Sequence, residues 1–156
     1  MEKNKISYIT RAGIIAAIYV VLTLIMGNLA FGPIQVRISE ALTMLPLIDS
    51  AAIPGVFIGC FLANIFGGYG LVDIVFGSLV TLVAAYLTSK MPNRILAVIP
   101  PVLLNALIVP IWVHAMSNAP YGMTALTIGL GEFFSVAGLG TLLLIAIDRI
   151  KGRNNF

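Results

Sequence analysis

Apolar residues run through this chain in long blocks, and two kinds of interruption divide them. One is positive charge: eight of the nine Lys and Arg residues fall in three clusters, Lys3, Lys5 and Arg11, then Lys90 and Arg94, then Arg149, Lys151 and Arg153. The other is turn chemistry at Gly27, Gly32 and Pro33, at Asp49, Ser50 and Pro54, at Gly67, Gly68 and Gly70, and at Ser117, Asn118, Ala119 and Pro120. A helix crossing a bilayer needs about 20 apolar residues, and basic flanks mark its cytoplasmic ends. All three clusters are therefore expected in the cytoplasm, with an even number of crossings between each and the next. Between Arg94 and Arg149 two helices fit, near residues 95–116 and 124–147. Between Arg11 and Lys90 the three breaks leave four segments. The pattern predicts an all-α integral membrane protein, a compact bundle of six transmembrane helices, some short, with both termini cytoplasmic. The second and third helices, near 38–48 and 52–66, reach only about 17 to 22 Å at 1.5 Å per residue. They are expected to pack against the outward loops and not simply to span.

Composition agrees. Of 156 residues, 60% are hydrophobic and 10% charged, against about 25% charged in a soluble domain. The length leaves room for one transmembrane domain over residues 1–156 and no separate soluble unit. The basic N-terminus leads into an apolar run without a small-x-small cleavage site, so that run reads as a retained first helix. The net charge of +3 comes from membrane-flanking residues and does not imply nucleic acid. The single Cys60 lies in an apolar segment, where it predicts neither a disulfide nor metal chemistry. No phosphate-cradling GxxxxGK[ST] loop, HExxH, CxxC or Ser/His/Asp set is present. The chain is not expected to be an enzyme or to hold a cofactor or metal, and any active transport must draw its energy from elsewhere.

The candidate chemistry lies in the polar residues inside the apolar blocks, because an ionisable group at membrane depth is costly and usually lines a site or meets a partner. Arg37 and Glu40, in the stretch FGPIQVRISEALTMLPLI from Phe31 to Ile48, are candidates to pair with each other and to bind substrate. Glu132, among Gly129, Gly131 and Ser135, is expected about 12 Å below the outer start of the last helix. Its carboxylate suits a ligand offering two parallel N–H donors; a buried pair with Arg37 is the structural alternative. Asn105 and Trp112, seven residues apart, share a helix face, which favours Trp112 over His114 as a stacking contact, although Pro110 loosens the inference. Asp73, Asn64 and Tyr69, around the glycine-rich loop, complete the candidate binding set. The small residues Ala12 and Ala16, with Gly13 and Ala17 beside them, and Gly55, Gly59, Ala63 and Gly67 form rows four apart that permit close helix packing. The first row, near the cytoplasm, is a candidate docking face for a partner protein.

The stretch QVRISEALTMLPLI after a short first helix, six helices in about 150 residues and the face at Ala12 and Ala16 resemble the QueT family. The resemblance covers essentially the whole chain, and Gln35 to Pro46 is its most specific part. It implies the substrate-binding S-component of an energy-coupling factor (ECF) transporter, an ABC-type importer of queuosine precursors in the bacterial plasma membrane. It further implies capture of a 7-deazaguanine base from outside and docking through the first helix on a transmembrane coupling protein driven by two cytoplasmic ATPase subunits. The alternatives are an S-component for another vitamin-like solute, a structural membrane protein without a ligand, and a self-sufficient carrier.

Overall fold

A computed structural model of the chain describes residues 2–30, 35–68 and 70–152. The described residues form six helices: α1 (Glu2–Met26), α2 (Ile38–Leu47), α3 (Ala52–Gly67), α4 (Asp73–Thr88), α5 (Arg94–Ser117) and α6 (Tyr121–Ile150). Three of them, over Asn4–Met26, Arg94–Ser117 and Tyr121–Ile150, are long and apolar enough to cross a membrane. The other three are shorter apolar helices. The breaks fall where glycine, proline and turn residues predict them. Gly68, in the left-handed region at φ 71°, ends α3, and Asn118, at φ 56°, ends α5. Asn93 caps α5 by accepting from the Leu96 N–H at 2.9 Å. A one-residue interruption at Val98 precedes Pro100 and Pro101, neither of which has an N–H to continue the ladder.

Short α2 is the pillar of the bundle. Every side chain from Ser39 to Pro46 is buried, and the helix packs on α1, α3, α4 and α6. It is wound as a 3₁₀ helix over all ten residues. With about 2.0 Å rise per residue it reaches about 20 Å, where an α-helix of that length would reach about 15 Å. Pro46 has no N–H to give, and the Thr43 hydroxyl bonds back to the Glu40 carbonyl at 2.6 Å. The expectation that α2 and α3 lean on the outward loops is thus replaced by a central position for α2.

Glycine lets α3 lie close to α1. A Cβ on Gly59 would stand 2.6 Å from the Tyr19 Cβ and 3.0 Å from the Ala16 carbonyl oxygen, and one on Gly55 would stand 3.0 Å from the Ala12 carbonyl oxygen. Ala12 and Ala16 are buried in this contact. That corrects the docking expectation: these two alanines serve packing within the chain, while the neighbouring Gly13 and Ala17 remain exposed.

The basic clusters gather at one end. Arg11 pairs with Asp49 at 2.8 Å, the Tyr8 hydroxyl donates to the Ser50 carbonyl at 3.2 Å, and Arg94 pairs with Asp148. Arg11, Asp49 and Lys151 line one groove; Arg153 lies outside the described residues. At the opposite end Gly70 comes near Met116, and His114 Nδ1 lies 2.6 Å from the Ala119 carbonyl oxygen. Polarity is inverted relative to a water-soluble domain. Ile9, Ile25, Leu71, Ile95, Leu142 and Ile150 stand on the outside, while Thr23, Arg37, Ser39, Glu40, Asn64 and Glu132 are enclosed.

Candidate functional site

The enclosed polar residues converge on Arg37, the residue just before α2. Its Nε donates to the Ala30 carbonyl at 3.2 Å, its Nη2 to Asn64 Oδ1 at 3.2 Å, and its Nη1 lies 3.8 Å from Glu40 Oε1 and 3.7 Å from Cys60 Sγ. One guanidinium therefore links the short turn after α1 with α2 and α3. The planar fork of arginine allows this division, since its donors leave in several fixed directions. Glu40, three residues on, turns the same way and also accepts from the Tyr19 hydroxyl of α1. The expected pairing of Arg37 with Glu40 is present, but neither group is used up by the other.

Glu132 belongs to the same neighbourhood. It is buried and interacts electrostatically with both Arg37 and Glu40, about 16 Å along α6 from Tyr121 at 1.5 Å per residue. The helix starts a turn earlier than the sequence suggested, so Glu132 lies deeper than the expected 12 Å. Gly131 brings the segment before α2 against this point. A side chain there would overlap the Gln35 carbonyl oxygen and stand 3.3 Å from the Val36 Cα. Gln35 is fixed in turn by donating to the Ala30 carbonyl at 2.8 Å. Residues 31–34, the first part of the stretch that sequence reasoning singled out, lie outside the described residues.

Three buried side-chain atoms here have no hydrogen-bond partner among the described residues: Glu40 Oε2, Glu132 Oε2 and Ser135 Oγ. A buried polar atom left unsatisfied costs about 1–3 kcal/mol, more when charged, and such groups are few in native structures. Glu132 and Ser135 share one face of α6, three residues apart. Immediately after Glu132 the helix widens into π geometry over Phe134–Gly140, and α4 does the same over Asp73–Gly77. Such bulges occur frequently at functional sites. With the carboxylates of Glu40 and Glu132 buried in the same neighbourhood as one guanidinium, the enclosure has acceptor capacity in excess and suits a ligand that brings N–H donors.

Asp73, Trp112 and Asn64 form a second tier. Trp112 Nε1 donates to Asp73 Oδ1 at 2.7 Å, and Asn64 Nδ2 donates to the Asp73 carbonyl at 2.7 Å. The start of α4 is thereby tied to α3 and α5, and Asn64 connects this tie to Arg37. Trp112 also lies near Phe76, ring centroids 6.4 Å apart. Asn105 is buried, but its amide nitrogen bonds its own helix at the Pro101 carbonyl, 3.0 Å away. His114 closes the Ser117–Pro120 turn, away from the cluster. Tyr69 lies outside the described residues.

Sequence reasoning passed over Tyr19 and gave Cys60 no role. Tyr19 continues the buried row of Ala12 and Ala16, seven residues after Ala12, and that register was the available signal. Cys60 Sγ lies 3.5 to 3.7 Å from Thr81 Oγ1, Asn64 Nδ2 and Arg37 Nη1; only the tertiary structure gathers donors around a thiol. Among the described residues no group of His, Cys, Asp and Glu is arranged to hold a metal ion.

The chain is 40% identical over 85 residues to the Queuosine precursor transporter QueT of Lactococcus lactis subsp. cremoris (strain MG1363), an alignment covering 53% of this chain and 50% of that relative. The chain thus matches about half the length of that curated relative. No solved structure matches the chain. A family profile described as QueT transporter spans residues 9–149, reaching into all six helices and taking in every residue of the enclosed polar cluster, so the chain belongs to the QueT transporter family.

Proposed function

We propose that this protein is the substrate-binding S-component of an ECF-type importer, capturing a 7-deazaguanine queuosine precursor from outside the cell. In this reading the six helices lie in the bacterial plasma membrane. The end carrying Arg11, Arg94 and Lys151 faces the cytoplasm, as basic flanks require. The observation that carries the proposal is the enclosed group of unpartnered acceptors, Glu40 Oε2 and Glu132 Oε2, beside a single guanidinium. A deazaguanine presents a ring N–H next to an exocyclic amine. That edge matches a carboxylate in a bidentate, charge-assisted arrangement, and in this reading Arg37 answers acceptors of the same ring. The relative's name as a queuosine precursor transporter points to the same solute class.

Binding on this reading is a replacement of missing hydrogen bonds. Solute entry satisfies oxygens that fold without partners, and the Gln35–Val36 segment against Gly131 and the Trp112–Asp73 tie are the two seams through which entry would pass. The chain has no phosphate-binding loop, so the work of release is assigned to partner subunits, a transmembrane coupling protein and two ATPases. The exposed small residues Gly13 and Ala17 of α1 are the docking row in this proposal, since small side chains permit close helix approach.

Isothermal calorimetry of the purified protein against deazaguanine bases, guanine and a panel of vitamins tests the reading. Saturable binding of the deazaguanines alone is the expected result. Binding of a vitamin in their place would transfer the protein to another solute, and heat from none of them would remove the binding role. Uptake by cells supplying the coupling subunits should be lost in Ala17→Trp while calorimetric binding stays unchanged; normal uptake would exclude this face from docking.

A further inference from the structure

At the basic end of the bundle lies a groove that solute capture does not use. It has a volume of about 200 Å³ and runs between α1, the turn after α2 and the last turn of α6. Its wall is made by Ile14, Ile48 and Ile147, and its rim by Arg11, Asp49 and Lys151. We propose that this groove is a binding site for an anionic phospholipid of the cytoplasmic leaflet, the phosphate held at Arg11 and Lys151 and an acyl chain along the isoleucines.

The inference rests on the membrane reading above. In a bilayer an apolar groove open at the side is filled by lipid, so the question left to the protein is which headgroup it selects. The rim carries two cations and one carboxylate, a formal net charge of +1. The carboxylate is already engaged. Asp49 Oδ2 meets Arg11 Nε at 2.8 Å, and its Oδ1 accepts from the Ala51 N–H at 3.0 Å and from Arg11 Nη2 at 3.5 Å. Asp49 thus holds the Arg11 guanidinium at the rim, Ser7 takes its Nη1 at 2.8 Å, and Lys151 supplies the unbalanced charge. The Tyr8 bond to the Ser50 carbonyl fixes the wall between α1 and the turn. A phosphate with an attached chain satisfies both parts of the groove. A free phosphate satisfies only the rim, and a zwitterionic lipid brings a compensating ammonium that the rim does not want. Basic pockets between helices on the cytoplasmic side are a known means of holding anionic headgroups.

The test is native mass spectrometry of the full-length protein in detergent, titrated with an equimolar mixture of phosphatidylglycerol and phosphatidylcholine. The wild type should retain phosphatidylglycerol about fivefold over phosphatidylcholine, the preference expected from one basic residue near the surface. Lys151→Gln should bring that ratio close to one, Asp49→Asn should raise it by removing the competing carboxylate, and Lys90→Gln, away from the groove, should leave it unchanged. Glycerol phosphate added in excess should not displace the lipid. Equal retention of both lipids, an unchanged ratio in Lys151→Gln, or displacement by glycerol phosphate would each overturn the proposal. A protein that keeps deazaguanine binding without lipid preference loses only this inference. One that fails to enter bilayers at all loses the membrane reading beneath it.

Discussion

Two arginine–carboxylate pairs in this protein sit in opposite surroundings. Arg11 and Asp49, at the basic end, are 48% and 25% exposed and meet at 2.8 Å, while Arg37 and Glu40, in the centre, are 8% and 0% exposed and stand 3.8 Å apart. In water the pair closes on itself, and its remaining donors and acceptors are met by solvent or backbone. In the interior, where solvent is excluded and a tight pair would serve folding best, the guanidinium is instead shared among Ala30, Asn64 and Cys60, and carboxylate oxygens of Glu40 and Glu132 are left without partners. An ion pair that serves only to hold helices together has no reason to leave acceptors open at this depth. On the proposed reading, these open acceptors are where the solute binds.

The largest effect that would break this contrast is expected from Arg37→Met. Removing one member of a buried charge network leaves uncompensated charge and costs about 3 to 5 kcal/mol, read as a lowered melting temperature of the detergent-solubilised protein. The double variant Arg37→Met/Glu40→Leu should recover much of that loss while binding no solute. A double variant as unstable as the single one would show that Arg37 acts through shape and not charge.

Next in size is Glu132→Gln. It keeps the side-chain volume and replaces one acceptor with a donor, so a ligand offering two N–H groups meets a repulsive contact. The loss of a charge-assisted hydrogen bond is worth about 1.5 to 3 kcal/mol, or roughly ten- to more than a hundredfold in affinity. The folded protein should be as stable as the wild type or more so, because a carboxylate oxygen without a partner has been removed. Unchanged affinity in calorimetry with a lowered melting temperature would make Glu132 a structural residue and close the comparison the other way.

Trp112→Phe should have a smaller effect. It deletes the bond to Asp73 at 2.7 Å while keeping an aromatic ring beside Phe76, for a cost of about 1 kcal/mol. If the tie is one of the seams for solute entry, association and dissociation both quicken in stopped-flow measurements while affinity changes little. Rates equal to the wild type would assign the tie to folding alone. The smallest effect belongs to Arg11→Gln, within about 1 kcal/mol for an exposed pair and diminishing further as salt is raised. A loss as large as that of Arg37→Met would erase the distinction between the two pairs.

Much of this architecture is legible without coordinates because lipid-compatible helices announce themselves locally. Apolar blocks, basic flanks and glycine or proline breaks are properties of neighbouring residues, and they locate all six helices and the gathering of Arg11, Arg94 and Lys151 at one end. The rarity of charge inside the blocks likewise singles out Arg37, Glu40, Asp73 and Glu132. What composition does not carry is which small-residue row faces inward. Ala12/Ala16 and Gly13/Ala17 differ by one position on the same helix, and only the approach of Gly55 and Gly59 decides that the alanines are buried.

The sequence by itself determined the class of the fold, the number of helices and the chemical groups available at depth, since each follows from the free energy of placing one residue type in one environment. The tertiary structure alone decided that α2 is the central pillar wound as a 3₁₀ helix, that Tyr19 and Cys60 join Arg37, and that Asn105 stays with its own helix while Asp73 meets Trp112. These are contacts between residues 21 to 39 positions apart, or choices among donors that several partners could satisfy. Hydrogen-bond partners are selected by distance and angle within about 3.5 Å, and no local pattern encodes a distance across four packed helices.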